Sequence, residues 1–235
     1  MKKIGLVGGI GPASTIEYYR GLILRCSHDD RVDGYPEIVI DSVNMLRHDQ
    51  AITEKNYDLL AEYLIKSLDN LKAAGAQIAA ITANTEHIVW ERIKDRLPLE
   101  TVSAVDAVTE KIKMEAYRRV LILGTKWTME SGLFEQPVEN AGAIPVILEQ
   151  QDQQLVGELI YPNLENGIVL IEDKQKMLQI IEQYCKKQKA DSVLLGCSEL
   201  PLMIKENDLS VPVINSTEVH LQKIFNCAVG IQEGR

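Results

Sequence analysis

The sequence predicts an α/β protein built from two similar doubly wound domains, each with a parallel sheet that helices cover on both faces. The first observation is the alternation of short apolar runs, typical of buried strands, with helical segments along the whole chain. The second is a repeat: two short patterns recur about 115 residues apart, near half of the 235 residues. We therefore expect two equivalent halves whose strand ends face each other across a shared site.

The first predicted strand spans residues 3–7, and a tight glycine loop leads from it into a helix that Ser14 or Thr15 could cap. The loop lacks the G-x-G-x-x-G spacing of dinucleotide-binding proteins, because Ser14 stands where the last glycine would be. We therefore do not expect NAD. Backbone amides at the start of the helix could still hold a carboxylate.

The next segments place a cation near the same edge of the sheet. A strand over residues 37–42 runs into a polar loop, residues 43–49, in which Arg47 is a candidate carboxylate clamp. The alternative is an ordinary exposed arginine. An amphipathic helix over about 57–74 and a strand over 78–83 follow.

The remaining segments continue the alternation and set the expected domain boundaries. We expect the first domain to comprise residues 1–97 and 210–235, and the second to comprise residues 98–209. The predicted helices are 84–97, 104–118, 153–159, 174–189 and 217–228, and the predicted strands are 99–102, 120–124, 143–148, 192–196 and 211–214.

Composition excludes several classes of function. The net charge of −9, without a basic patch, argues against a nucleic-acid partner, and no apolar run is long enough to cross a membrane. The four cysteines lie far apart without a C-x-x-C pair, which fits neither a zinc site nor a disulfide framework. With no export signal, we expect the reducing cytoplasm. No motif implies a metal or an organic cofactor.

Cys197 is the candidate catalytic residue. It follows the apolar run that ends at Gly196, and open α/β sheets place their sites at the carboxyl ends of such strands. The N-terminus of the following helix should favour the thiolate form of this cysteine. In the other half of the repeat the same position is Ala83, which carries no proton. The alternative for Cys197 is a small buried hydrophobic residue.

Four stretches follow one another in the order 4–12 with 14–19, Ala83-Asn84-Thr85-Glu86-His87, Gly124-Thr125 with Thr128-Met129, and Gly196-Cys197-Ser198-Glu199-Leu200. In this order they resemble the aspartate/glutamate racemase family, whose members work without pyridoxal phosphate. The resemblance implies two α/β domains related by a pseudo-twofold axis, an active site in the cleft between them, a homodimer and an acidic amino acid as substrate.

The resemblance also implies roles for single residues. Cys197 would be an acid/base, and we expect Glu199 to hold Cys197 or its loop in place rather than to act as a base. The residues that would bind the substrate carboxylate and ammonium groups are Gly9, Asn84, Thr85, Thr125 and Ser198, with Arg47 and, more weakly, Lys126 as cations for an acidic side chain.

Ala83 departs from the family pattern Cys-Asn-Thr-x-His, in which some members have threonine in place of the cysteine. The adjacent Thr82 is a poor substitute, because neighbouring residues on a strand point to opposite faces. A water or His87 could stand in, although we expect His87 to orient the segment rather than to titrate. Three functions follow: a racemase slowed by the missing group, a one-base reaction as in the related arylmalonate decarboxylases, or a non-catalytic binder of amino acids or dicarboxylates.

Overall fold

The computed structural model describes residues 1–231, which form two compact units. One unit comprises residues 1–104 and 220–231, and the other comprises residues 105–219. Each unit contains one four-stranded parallel sheet. The prediction of an α/β protein with two parallel sheets is confirmed.

The first unit has the strand order β2-β1-β3-β4. The turn between β3 and α4 is a 3-10 helix, Thr85–Val89, and a second 3-10 helix, Lys94–Arg96, follows α4. The strands are β1 (Ile4–Gly8), β2 (Ile38–Ser42), β3 (Ile78–Ile81) and β4 (Glu100–Val102), and the helices are α1 (Pro12–Ser27), α2 (Met45–Thr53), α3 (Tyr57–Ala73) and α4 (Trp90–Ile93).

The second unit has the order β6-β5-β7-β8, and the last helix ends the described chain. Its strands are β5 (Arg119–Leu123), β6 (Ile144–Val146), β7 (Ser192–Leu195) and β8 (Val213–Asn215). The helices are α5 (Ala104–Glu115), α6 (Lys126–Glu130), α7 (Glu135–Asn140), α8 (Gln150–Ile160), α9 (Ile171–Gln188) and α10 (Leu200–Met203), with 3-10 turns at Leu164–Asn166 and Glu206–Asp208. Helix α11 (Ser216–Val229) starts in this unit, and its residues from 220 to 229 belong to the first unit.

Both sheets are buried on both faces, as expected for parallel strands. In the first unit, Val7 and Ile81 face a core formed with α3, whereas Leu6 and Ala80 face α1 and α11. In the second unit, alternate residues of β5 and β7 likewise divide between a core with α8 and α9 and a core with α5 and α7. The doubly wound arrangement within each unit is confirmed.

The two sheets have the same connectivity, which confirms the internal repeat at the level of topology. In each sheet the first strand of the unit is central, and the third strand pairs beside it. Ala83 lies two residues beyond the end of β3, and Cys197 lies two residues beyond the end of β7. The two positions are therefore equivalent in their own units.

Strand pairing divides the units at residues 104/105 and 219/220, whereas the sequence placed the divisions at 97/98 and 209/210. β4 pairs with β3 in the first unit, and β8 pairs with β7 in the second unit. Each is a three-residue edge strand whose sequence does not reveal which neighbour it joins.

Several local predictions were wrong. Residues 45–53 form helix α2 rather than a polar loop, because His48, Ala51 and Ile52 form a short buried stripe at helical spacing. The single helix expected over 84–97 is instead α4 flanked by two 3-10 turns. The short helices α6 and α7 lie in a segment for which no helix was expected.

Candidate active site

Cys197 lies just beyond the carboxyl end of β7 and is 4% exposed. Its Sγ donates a hydrogen bond to Oε2 of Glu199 over 3.0 Å. The same carboxylate oxygen accepts a hydrogen bond of 2.8 Å from the Ser198 hydroxyl. A thiol paired with a carboxylate can exchange its proton within the pair, which is what an acid/base group requires.

The structure contradicts the expectation that the following helix favours thiolate in the resting protein. Burial, and then the neighbouring Glu199 carboxylate, raise the pKa of the Cys197 thiol well above its usual value of 9.0. Helix α10 has only four residues, so its dipole is small. The resting group is therefore a thiol that donates to Glu199.

Two glycines allow the ends of β5 and β7 to pack closely. A Cβ at Gly196 would lie 2.9 Å from the Leu123 carbonyl oxygen and from the Phe134 ring. A Cβ at Gly124 would lie 2.8 Å from the Thr128 side chain. Close packing here holds the segment before Cys197 against its neighbours.

Thr125 begins helix α6 rather than standing as an isolated polar residue. Its hydroxyl accepts a hydrogen bond of 3.2 Å from the Thr128 amide and lies 3.0 Å from the Thr128 hydroxyl. Lys126 is exposed and lies 3.7 Å from Glu130. The capping role of Thr125 is enough to explain a threonine at this position, and no contact with a substrate is needed to explain it.

In the first unit, the residues after β3 turn directly into the 3-10 helix. Ala83, Asn84 and Thr85 are half-buried, so part of each side chain reaches the surface. Thr82 is fully buried, and its hydroxyl donates to the Val7 carbonyl oxygen over 3.0 Å. Thr82 therefore packs into the unit and does not replace the missing group at position 83.

Both ring nitrogens of His87 have backbone partners. The Ala104 amide donates to Nε2 over 3.1 Å, so Nδ1 carries the proton and donates to the Ala83 carbonyl oxygen over 3.0 Å. Burial lowers the pKa of His87 to about 4. The neutral ring thus fixes the Ala83 segment and the start of α5, and neither nitrogen is left for a substrate.

The Gly9 amide also has a partner within its own loop. It donates to the Thr15 hydroxyl over 3.0 Å, and the residue has a φ of 82°. A Cβ at this position would lie 2.6 Å from the Val43 carbonyl oxygen, so the loop requires glycine. The backbone conformation and the close packing explain why position 9 is glycine, and no anion bound at its amide is needed to explain it.

Arg47 lies in the first turn of α2 and is exposed. No acidic side chain in the part of the chain that the structure describes pairs with it. The guanidinium is therefore available to an external carboxylate.

Sequence reasoning missed three buried titratable side chains of the first unit. Glu86 and His48 are each 2% exposed, and each has one side-chain atom without a hydrogen-bond partner. His220 is also buried, between the Tyr18 hydroxyl at 2.8 Å and the Val102 carbonyl oxygen at 2.9 Å. The acidic residue within the Asn84-Thr85-Glu86-His87 motif was the sequence signal that could have revealed Glu86.

Two kinds of feature are absent from residues 1–231. No group of three or more His, Cys, Asp or Glu side chains is arranged to hold a metal ion. No helix in this range is both long and apolar enough to cross a membrane.

The family model described as Asp/Glu/Hydantoin racemase matches residues 7–224. The chain belongs to this family. The broad specificity amino-acid racemase RacX of Bacillus subtilis (strain 168) is 25% identical over 91% of this chain and 92% of its own length. The glutamate racemase of Aquifex pyrophilus is 27% identical over 73% of this chain and 66% of its own length.

A crystal structure of an aspartate racemase homologue from Pyrococcus horikoshii OT3 has the same fold. It superposes with a TM-score of 0.86 and 34% identity, over 97% of this chain and 99% of its own. Membership of the family supports an amino-acid racemase, which is an isomerase.

Proposed function

We propose that this protein racemises aspartate, glutamate or a broader set of amino acids without pyridoxal phosphate, with Cys197 as an acid/base. The observation that carries the proposal is the 3.0 Å hydrogen bond from the Cys197 thiol to Glu199, directly after β7 in a chain of this family. A racemase must remove and return the α-proton, and this pair provides a group that can do either.

The role of Glu199 follows from the direction of this hydrogen bond. For Cys197 to act as a base, its proton first passes to the Glu199 carboxylate, which leaves a thiolate. The thiolate then takes the substrate α-proton and becomes a thiol again. In the reverse direction, the thiol protonates the carbanion and Glu199 returns its proton to the sulfur.

The other face of the α-carbon needs a second proton-handling group. Ala83, equivalent to Cys197 in the repeat, cannot provide one, and both nitrogens of His87 are occupied. A water in the volume left by the missing side chain would fill the role, with the Ala83 segment held in position by His87. This arrangement makes inversion slow compared with exchange at the Cys197 face.

Substrate contacts follow from the polar side chains that lie close to the ends of β3 and β7. Ser198 donates its proton to Glu199, so only its oxygen lone pairs can serve, and these suit the substrate ammonium. Asn84 and Thr85 are half-buried donors for the α-carboxylate. Arg47 would bind the side-chain carboxylate of an acidic amino acid. Gly9, which is buried, and Thr125 shape their loops and would contribute by holding the neighbouring substrate-binding residues in place.

A one-base reaction is the second candidate, and Ala83 is the observation that favours it. A single thiol suffices to exchange a proton on one face, or to protonate a carbanion left by decarboxylation. The fold and the Cys197–Glu199 pair are the same in both candidates. The homodimer and the cytoplasmic location stay predictions.

Proton NMR in heavy water, followed by chiral chromatography, separates these functions. L- and D-aspartate, L- and D-glutamate and a panel of neutral amino acids are incubated with the protein. Loss of the α-proton signal together with the opposite enantiomer supports the racemase. Exchange on one enantiomer with full retention supports the one-base reaction. No exchange on any member of the panel would contradict both.

A further inference from the structure

Glu86 is a buried acid that the proposed reaction does not use. It lies in the 3-10 turn Thr85–Val89 and is 2% exposed, and its Oε2 has no hydrogen-bond partner. Burial, with a smaller contribution from the nearby Asp49 carboxylate, raises the pKa of this carboxyl to about 8. The side chain is therefore uncharged in the neutral range.

Helix α2 contributes to the same apolar core as this turn, and its buried side chains are also uncharged. His48 is 2% exposed, its Nδ1 has no hydrogen-bond partner, and its ring stacks at a tilt on Tyr63 of α3 with 5.6 Å between centroids. Burial lowers the pKa of His48 to about 4, so the ring is neutral. Ala51 and Ile52 pack in the same apolar core as the 3-10 turn. The buried face of α2 therefore contains no charged side chain.

Asp49 is the charged group that acts on the Glu86 carboxyl. The next residue in the turn, His87, is neutral and fixed by two backbone groups. Acidic side chains of α3 form ion pairs at the surface with arginines of the segment that starts with α4. The pairs are Asp58 with Arg92 and Glu62 with Arg96. Among residues 1–231, a carboxylate at position 86 would therefore meet the like charge of Asp49, and no cation offsets it.

We propose that Glu86 is a positioning residue for Arg47, in that its uncharged carboxyl seats helix α2 and loss of its proton releases the helix. Arg47 lies in the first turn of α2, so displacement of the helix displaces the guanidinium. The release of α2 follows from the burial of Glu86, whatever reaction the protein catalyses. The consequence for a substrate carboxylate rests on the proposed function.

Amide hydrogen exchange of α2 at pH 6.5 to 8, where His48 is neutral whether the helix is seated or released, tests the seating. After correction for intrinsic rates, protection of the α2 amides in the native protein should fall about tenfold per pH unit in this range. The reason is that opening exposes a carboxyl that then loses its proton. In Glu86→Gln the protection should not depend on pH. The exposed Glu91→Gln, three quarters exposed in its pair with Lys94, is the matched control and should behave like the native protein.

Asp49→Asn provides an independent variant at an exposed position. Without the like charge, the carboxyl of Glu86 ionises more easily in the closed state, so the fall in protection should level off at a lower pH. Protection of α2 that is independent of pH in the native protein overturns the proposal, as does an equal fall in Glu86→Gln. Protection equal to that of β1 at every pH also overturns it, because α2 would then open only with the whole unit.

Affinity for succinate, a dicarboxylate that cannot be racemised, tests the link to Arg47. The dissociation constant, measured by calorimetry, should rise with pH in parallel with the loss of α2 protection, and Glu86→Gln should abolish this rise. Release of α2 without a change in succinate affinity overturns the link to Arg47. Since neither measurement needs turnover, a protein that releases α2 and binds succinate but exchanges no α-proton contradicts the proposed function alone.

Discussion

Replacing Glu86 with glutamine should stabilise the first unit at neutral pH and not at acid pH. The carboxyl has a pKa of about 8 in the folded protein against an ordinary value of 4.5. Below pH 4.5 it is protonated in both the folded and the unfolded state, so its ionisation does not affect folding. As the pH rises towards 8, the unfolded state loses the proton that the folded state keeps, and the unfolded state is favoured.

The magnitude follows from this difference in pKa. Each pH unit between 4.5 and 8 lowers the free energy of unfolding by about 1.4 kcal/mol, which amounts to about 3 kcal/mol at pH 7. Glutamine has nearly the same shape and no charge, so the variant should lack this loss. Every other group titrates equally in the two proteins, so its contribution cancels in the difference between their free energies of unfolding.

Urea denaturation followed by tryptophan fluorescence measures the effect in the relevant unit. Trp90 is buried in the first unit and Trp127 is exposed in the second, so a Trp127→Phe background isolates the signal from Trp90. The free energies of unfolding of the native protein and of Glu86→Gln should diverge steadily from pH 4.5 to 8. A constant difference across this range would refute the reasoning, since a change in packing alone has no such pH dependence.

Three further outcomes follow. Burial lowers the pKa of His87 to about 4 and of His220 to about 3, so on acidification the unfolded state takes up protons before the folded state does. Each of these histidines should therefore lower the free energy of unfolding by about 1.4 kcal/mol for each pH unit from 6.5 down to 4. Urea denaturation that shows no loss of stability in this acid range would contradict the prediction. Ala83→Cys should raise the rate of inversion measured by chiral chromatography, because a thiol then stands where the repeat requires an acid/base; an unchanged ratio of inversion to exchange would count against the role of this position. Glu199→Gln should lower the pKa of the Cys197 thiol, seen as faster iodoacetamide labelling at pH 8, and should also reduce α-proton exchange; slower labelling would contradict the pairing.

The sequence predicted the position of Cys197 but not its protonation state. An apolar run that ends in glycine is enough to place a residue at the edge of a parallel sheet. The charge on the thiol depends on burial and on a carboxylate two residues away, whose side chain could have pointed elsewhere. Only the coordinates show that Glu199 accepts the proton of Cys197.

Helix α2 and the unit boundaries show why the other predictions failed. The stripe that buries α2 contains a histidine, and a nine-residue segment with one polar core position has little helical signal. The edge strands β4 and β8 have three residues each, and their partners are set by tertiary contacts. The repeat, by contrast, was visible in sequence because the apolar runs of β1 and β5 both lead into a glycine, Gly8 and Gly124, where a Cβ would clash with a threonine side chain of the next helix.

The measurement that tests the central claim most directly is the rate of α-proton exchange in heavy water for the native protein, Cys197→Ser and Cys185→Ser. Cys185 lies on α9 and is the matched control for the loss of a thiol. The account predicts exchange in the native protein and in Cys185→Ser, and none above background in Cys197→Ser. Equal exchange in all three proteins would contradict the assignment of Cys197 as the group that moves the proton.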